Sequence, residues 1–310
     1  MRIVFMGTPD FAVPCLKRLL DDGHDVVGVF SQPDKPQGRK MVLTAPPIKQ
    51  LALQAKLPVY QPETFKNGAV LPLLQELAPE IIVVVAYGKI LPQYVLDLPR
   101  YGCVNVHGSL LPRWRGAAPI QWSVIAGDRT AGVTTMQMDA GLDTGDMLLR
   151  YETEIGARET AGELYERLAT AGAELLSETL RRLEKGDIVP ERQDDAASCY
   201  ASMLDKKLAQ VDWRRTAREI DCLVRGLNPW PVALTTLHGE RMKLYAAEPV
   251  QGSGAPGTVL VSDPKSGLVV ACGDGALRLT EIQVVGGKRM QAGDYLRGHA
   301  VPSGTVLGES

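Results

Sequence analysis

Three runs of aliphatic residues, Ile3–Met6, Val26–Phe30 and Ile81–Ala86, constrain this chain most. None alternates polar with apolar residues. Strands of this kind must be buried on both faces, which only a sheet covered by helices on both sides provides. Helical patterns lie between and beyond the runs, near Phe11–Leu20, Ile48–Ala55, Val70–Leu77 and Ile120–Ala126. Two further apolar runs, Val104–Val106 and Val133–Met138, read as additional strands. The alternation predicts an α/β fold with a mostly parallel, doubly wound sheet. A long helix is expected over Ala161–Lys185, starting after Glu159-Thr160, with Leu164, Leu168, Ala171, Leu175 and Leu183 as its apolar stripe.

The texture changes near Asp187–Lys207, a polar stretch containing Pro190, Gln193, Asp194, Asp195 and Ser198. It reads as a linker. Ala209–Leu227 reads as helix, ended by Asn228-Pro229-Trp230-Pro231. Short strands then recur at Ala233–Leu237, Met242–Ala246, Gly257–Val261, Leu268–Cys272 and Ala276–Val285, separated by glycine turns. That pattern suggests a small antiparallel barrel. A length of 310 residues fits two domains. The expected division is a sheet domain over 1–188, a linker over 189–207 and a barrel over 208–310.

Bulk properties exclude several classes. No apolar run reaches the ~18 residues needed to span a bilayer. The first residues run straight into a strand and a glycine-proline turn, unlike a signal peptide. The five cysteines are scattered and never form a Cys-x-x-Cys pair, which fits reduced thiols in a cytoplasm. The four histidines show no metal spacing, so no metal is expected. A net charge of −2 does not announce a nucleic-acid protein. Residues 206–310 nevertheless hold 13 Lys+Arg against 10 Asp+Glu. This mild excess permits phosphate contact, and a solvated surface explains it equally well. The Rossmann-like first half invites a dinucleotide, but its first turn is Gly7-Thr8-Pro9-Asp10-Phe11. It lacks the Gly-x-Gly-x-x-Gly that brings backbone to a pyrophosphate, and no Gly-Lys-Ser/Thr phosphate loop occurs. Neither NAD nor ATP is expected.

The segment Asn105-Val106-His107-Gly108-Ser109-Leu110-Leu111-Pro112-Arg113-Trp114-Arg115-Gly116 follows Cys103-Val104. Asn105 and His107, two apart on a strand, project to one face about 6.6 Å apart. They do so at the carboxyl end of the strand, where open α/β sheets bind ligands. Asp143 follows in Met138-Asp139-Ala140-Gly141-Leu142-Asp143-Thr144-Gly145-Asp146-Met147 and is able to orient the imidazole or move its protons. Taken singly, an Asn-x-His is usually a hydrogen-bonded turn and an Asp in a glycine-rich loop an Asx-turn.

The longer text resembles the formyltetrahydrofolate-dependent formyltransferases. The resemblance rests on Asn-x-His-x-Ser-Leu-Leu-Pro, Arg-x-Arg-Gly and Leu-Asp-Thr-Gly-Asp. Further matches are Gly7-Thr8-Pro9-Asp10-Phe11-Ala12, Ser31-Gln32-Pro33-Asp34-Lys35-Pro36, Val83-Val84-Val85-Ala86-Tyr87-Gly88 and Gly116-Ala117-Ala118-Pro119-Ile120. It runs from Arg2 to about Val306. It implies an OB-like barrel after the sheet domain, 10-formyltetrahydrofolate as donor, and the α-amine of methionine on initiator tRNA as acceptor. Asn105, His107 and Asp143 are then the catalytic set. Ser109, Leu110, Leu111, Pro112, Tyr87, Gly88 and Ile90 are the expected folate contacts. Arg113 and Arg115 are open to folate carboxylates, to the tRNA end or to a structural ion pair. The Gly/Pro-bounded loop of residues 35–47 is expected to meet the tRNA acceptor end through Arg39 and Lys40, although the run after Arg39 is less basic than in some relatives. The chain is expected to work as a monomer. An amino sugar nucleotide, glycinamide ribonucleotide, hydrolysis of the donor, and tRNA binding without catalysis are the alternatives.

Overall fold

The computed structural model describes residues 1–38 and 41–308. Its contacts divide the chain into two units. The first is Met1–Pro119, Ala131–Thr153 and Tyr165–Ala201; the second is Ile120–Thr130, Glu154–Leu164 and Ser202–Ser310. The chain thus crosses between units several times. The segment expected as a linker is itself divided: residues 189–201 group with the first unit and 202–207 with the second.

In the first unit seven strands form one sheet. Their order is Met147–Glu154, Thr130–Gln137, Cys103–His107, Ile81–Val85, Arg2–Gly7, Asp25–Phe30 and Val59–Tyr60. The five strands from Cys103–His107 to Val59–Tyr60 pair in parallel. Thr130–Gln137 joins antiparallel, with Asn105 opposite Met136 and His107 opposite Thr134. Every residue of Ile81–Val85 and Cys103–His107 is buried. On one face Val4, Met6, Ile82, Val84 and Cys103 pack with Phe30, Phe65 and Tyr87. A fully buried aliphatic side chain contributes about 1.5–3 kcal/mol, so these short strands need no help from local propensity.

The helix Ala161–Lys185 covers the other face. Its Gly172 sits so near the sheet that a Cβ there would lie 3.2 Å from Val106. This close approach turns the buried stripe to Leu164, Leu168, Gly172, Leu176 and Leu180, while Ala171, Leu175 and Leu183 of the expected stripe are only half-buried. Thr160 and Glu163 cap its start: the Thr160 amide donates to Glu163 Oε2 at 2.8 Å, and the Glu163 amide to Thr160 Oγ1 at 3.3 Å.

In the second unit the antiparallel order is Ala233–Leu237, Glu240–Val250, Ala276–Val284, Gly267–Ala271 and Val259–Asp263, with Met290–Gln291 also on Ala276–Val284. The C-terminal segment closes this sheet by bonding both edge strands. Val259 N donates to Thr305 O at 2.8 Å, Leu307 N to Gly257 O at 2.8 Å and Gly308 N to Thr236 O at 3.0 Å. A two-residue turn, His238-Gly239, joins the first hairpin with both φ positive (50° and 77°), the conformation that matches strand twist. The expected helix Ala209–Leu227 is shorter, Ala217–Gly226. A capping box between Thr216 and Glu219 fixes its start. Ala209 and Val211 instead bond Leu234 of the barrel, at 2.7 and 2.8 Å. Among the described residues no helix is long and apolar enough to cross a membrane.

Candidate active site

Asn105 and His107 continue the face of Cys103 beyond the apolar core of the sheet. They are 8% and 6% exposed. Among the described residues the Asn105 amide has no hydrogen-bond partner, which leaves it available to a ligand. His107 Nε2 lies 2.9 Å from the Trp114 carbonyl. A carbonyl only accepts, so Nε2 carries a proton. Nδ1 faces Asp143 Oδ2 at 3.8 Å, too long for a direct hydrogen bond but close for a charge pair. The same Oδ2 accepts from Gly116 N at 2.9 Å.

The loop carrying Asp143 is built locally. The Asp139 carboxylate accepts from Gly141 N at 3.0 Å and from the Thr144 hydroxyl at 2.7 Å. Gly145 passes so close to the sheet that a Cβ would meet the Gln137 carbonyl. Asp143 itself has φ 55° and Trp114 φ 62°, a left-handed conformation that non-glycine residues hold only when their surroundings fix it.

The expected folate residues fall into two groups. Ser109 is buried, and its hydroxyl donates to the Arg113 carbonyl at 2.7 Å. Leu111 is buried with Met136 and Met147. The Tyr87 ring lies in the core, edge-on to Phe65 at 5.9 Å between centroids, and burial raises its hydroxyl pKa. The Tyr87 carbonyl accepts from Thr8 Oγ1 at 3.0 Å and from Gln32 Nε2 at 3.1 Å, tying this loop to the first turn. These three residues therefore shape the loops from beneath. Leu110 and Pro112 are half-buried, Gly88 is exposed and Ile90 is 82% exposed. Arg115 is ion-paired with Asp195 at 2.8 Å, the structural role among those left open for it. The Arg113 guanidinium stacks over the Trp114 ring, 4.6 Å from its centroid.

Arg39 and Lys40 lie outside the described residues. The strands on either side, Lys35–Gln37 and Val42–Thr44, form an antiparallel ribbon whose Met41, Val42 and Leu43 are exposed. Its base is anchored: Lys49 Nζ donates to both Asp34 oxygens, at 2.9 and 2.8 Å, and Gln61 Nε2 to Asp34 Oδ1 at 2.9 Å. These bonds, that from Lys49 first, hold the Asp34 carboxyl below the usual range.

Sequence reasoning passed over one residue that touches this site. Gln193, in the stretch read as linker, is 5% exposed and donates to the carbonyls of Asp143 (2.9 Å) and Gly145 (2.7 Å). A glutamine in a polar run carries no local signal of burial. Among the described residues no group of three or more His, Cys, Asp or Glu is arranged to hold a metal.

Residues 1–180 match the family described as formyl transferase, and residues 203–300 its C-terminal domain. A methionyl-tRNA formyltransferase from Caldanaerobacter subterraneus is 51% identical over 99% of this chain and 100% of its own. Among solved structures, a Helicobacter canadensis N-formyltransferase in complex with folinic acid and dTDP-3-aminofucose superposes with a TM-score of 0.68 at 18% identity, over 94% of this chain and 100% of that one. HypX from Aquifex aeolicus in complex with tetrahydrofolic acid superposes with a TM-score of 0.61 at 18% identity, over 96% of this chain. This chain spans 47% of that longer protein. The two solved structures share the fold, and the extended identity carries the relationship. The chain belongs to the formyl transferase family, in its methionyl-tRNA formyltransferase branch.

Proposed function

We propose that this chain, as a monomer in the cytoplasm, transfers the formyl group of 10-formyltetrahydrofolate to the α-amine of methionine on initiator tRNA, for translation initiation. The reading rests on one convergence: an amide and an imidazole share one strand face at the carboxyl end of the sheet, with a carboxylate 3.8 Å from the imidazole, in a chain half-identical to a methionyl-tRNA formyltransferase. All three come from the first unit of one chain, so no second copy is needed.

The attacking amine, its carboxyl esterified, has a pKa of about 8 or less and is partly neutral near pH 7. No powerful base is required. The amine nitrogen attacks the formyl carbon, and the carbonyl oxygen becomes an oxyanion. Asn105 donates to that oxygen. His107 Nδ1, which faces Asp143, accepts the proton lost by the attacking nitrogen. Asp143, 3.8 Å away, stabilises the imidazolium so formed. The proton then passes to N10 as the carbon–nitrogen bond breaks, releasing tetrahydrofolate and formyl-methionyl-tRNA. Leu110, Pro112, Gly88 and Ile90 present the surface offered to the folate ring, and Ser109, Leu111 and Tyr87 hold it in place.

Arg39 and Lys40, in the sequence between the strands Lys35–Gln37 and Val42–Thr44, place the acceptor end of the tRNA. Arg suits this role because its planar fork makes paired bonds to phosphate. The second unit carries the remainder of the tRNA contact. Support comes from the small basic excess of residues 206–310 and from a surface groove bearing Lys265, Ser266, Arg278, Gln291 and Arg297, with Asp294 beside Arg297. The decisive experiment offers labelled 10-formyltetrahydrofolate with initiator methionyl-tRNA, glycinamide ribonucleotide and an amino sugar nucleotide in parallel. Formylation of methionyl-tRNA alone is expected; preferential labelling of either small amine overturns the acceptor assignment.

A further inference from the structure

The segment 191–201 lies outside both family-matched spans yet is bound into the first unit beside the site. Glu191 and Met147 exchange two backbone hydrogen bonds of 2.8 Å just beyond the Asp143 loop. At the other end Tyr200–Ala201 pairs in parallel with Arg115–Gly116. Between them Cys199 brackets the turn that holds His107: its carbonyl accepts from Arg115 N at 2.9 Å and its Sγ from Trp114 N at 3.2 Å.

Gln193 sits at the middle of this clip. Both protons of its amide nitrogen are used, one on the Asp143 carbonyl and one on the Gly145 carbonyl. Its Oε1 accepts from Arg115 Nε at 3.0 Å, and Arg115 is held in turn by Asp195. Gly116, next to Arg115, donates to the Asp143 carboxylate. The Asp143 main chain and side chain are therefore fixed from two sides, with a left-handed φ that needs such support. We propose that Gln193 is a positioning residue for formyl transfer: it sets the Asp143 carboxylate against His107. The proposal rests on the reading of Asp143 as the partner of His107. Only a neutral amide meets the site's demand for two donors and one acceptor. An ionised carboxylate has no proton for the two carbonyls, and a thioether leaves all three groups unpaired.

The test uses the full chain, with turnover on initiator methionyl-tRNA, binding of 5-formyltetrahydrofolate as a non-reacting donor, and thermal unfolding. Gln193→Met is expected to lower kcat by about 10²-fold, the scale of a misplaced catalytic group, without weakening 5-formyltetrahydrofolate binding. Added to Asp143→Ala, it is expected to cost nothing more, because its effect passes through Asp143. Gln193→Glu, of the same size, is expected to recover relative activity as pH falls and its carboxyl gains a proton to donate, a pH profile that Gln193→Met does not show. Should Gln193→Met fail to fold, the Gln193→Glu profile decides: unchanged shape against the parent overturns the proposal. A normal kcat in Gln193→Met overturns it, as does an undiminished further loss in the Asp143→Ala background. Parent-like turnover in Asp143→Ala alone would instead remove the reading beneath it.

Discussion

The Asn105–His107–Asp143 cluster and the ribbon Lys35–Thr44 belong to the same unit but are built by opposite means. Asn105 and His107 are buried on a central strand, Asp143 is half-buried in a loop, and that loop is held by Gln193, Gly116 and the 191–201 clip. The ribbon is exposed along Met41, Val42 and Leu43 and is fastened at its base, where Asp34, Lys49 and Gln61 meet. The difference matches what each is asked to do. Moving a formyl group needs donors fixed to a fraction of an ångström. Meeting a large acceptor needs reach and charge, and a short bonded foot suffices.

The comparison is broken most directly at the rigid end. Asn105→Ala, His107→Ala and Asp143→Ala are each expected to unfold like the parent and to lose about 10²–10³ in turnover. The double variants should fall far short of additive, since the three act as a unit. Near-parent turnover by folded His107→Ala would withdraw the assignment.

At the other end, Arg39→Ala should lower kcat/KM for methionyl-tRNA by about tenfold or more, the scale of a lost charged hydrogen bond, while folate affinity stays unchanged. Arg39→Lys should restore only part, because a point charge replaces the fork. The salt slope of tRNA binding should flatten by roughly one unit or less in Arg39→Ala. Unchanged tRNA kinetics in Arg39→Ala would reduce the ribbon to a surface loop and reopen the small-amine acceptors.

Thr216→Ala, in the second unit, sets a baseline. Loss of its capping box should cost about 1 kcal/mol in unfolding and leave both substrates' kinetics alone. A kinetic effect there would mean that general loosening mimics the results above.

The smallest effect concerns the ribbon's foot. The Asp34 carboxyl titrates below its usual range because Lys49 and Gln61 donate to it. A depressed folded pKa means the contact stabilises fully above the unfolded value of about 3.9 and is lost as pH falls through the lower folded value. The Tm gap between parent and Lys49→Met should therefore be widest near neutrality and close in acid. A gap that persists unchanged into strong acid would detach Asp34 from the ribbon's support.

Some of this architecture is written plainly in the residues. Ile81–Val85 is apolar at every position and is buried at every position, because a run without alternation has no solvent face to offer. Thr160 marks the start of the long helix through a carboxylate three residues on. Other parts have no local mark. Val59–Tyr60 is two residues long beside Pro58 and becomes a strand only because Asp25–Phe30 offers an edge. In Ala161–Lys185 the stripe follows the sequence at Leu164 and Leu168 and departs from it beyond them, since only the sheet opposite decides that Gly172, and not Ala171, faces inward. Leu111 and Tyr87 look like pocket walls in sequence and are core, because a loop folding back over a sheet buries some of its own apolar residues.

By itself the sequence determined the doubly covered parallel sheet, the small barrel, and the pairing of Asn105 with His107. Each follows from periodicity along a single segment, a property of neighbours in the chain. Tertiary structure alone decided that Asp143 stops 3.8 Å from His107, that His107 Nε2 turns to the Trp114 carbonyl, and that Gln193 leaves the polar stretch read as linker to hold the Asp143 loop. Those facts join residues 7 to 50 positions apart, and at such separations only the packed chain fixes which groups meet.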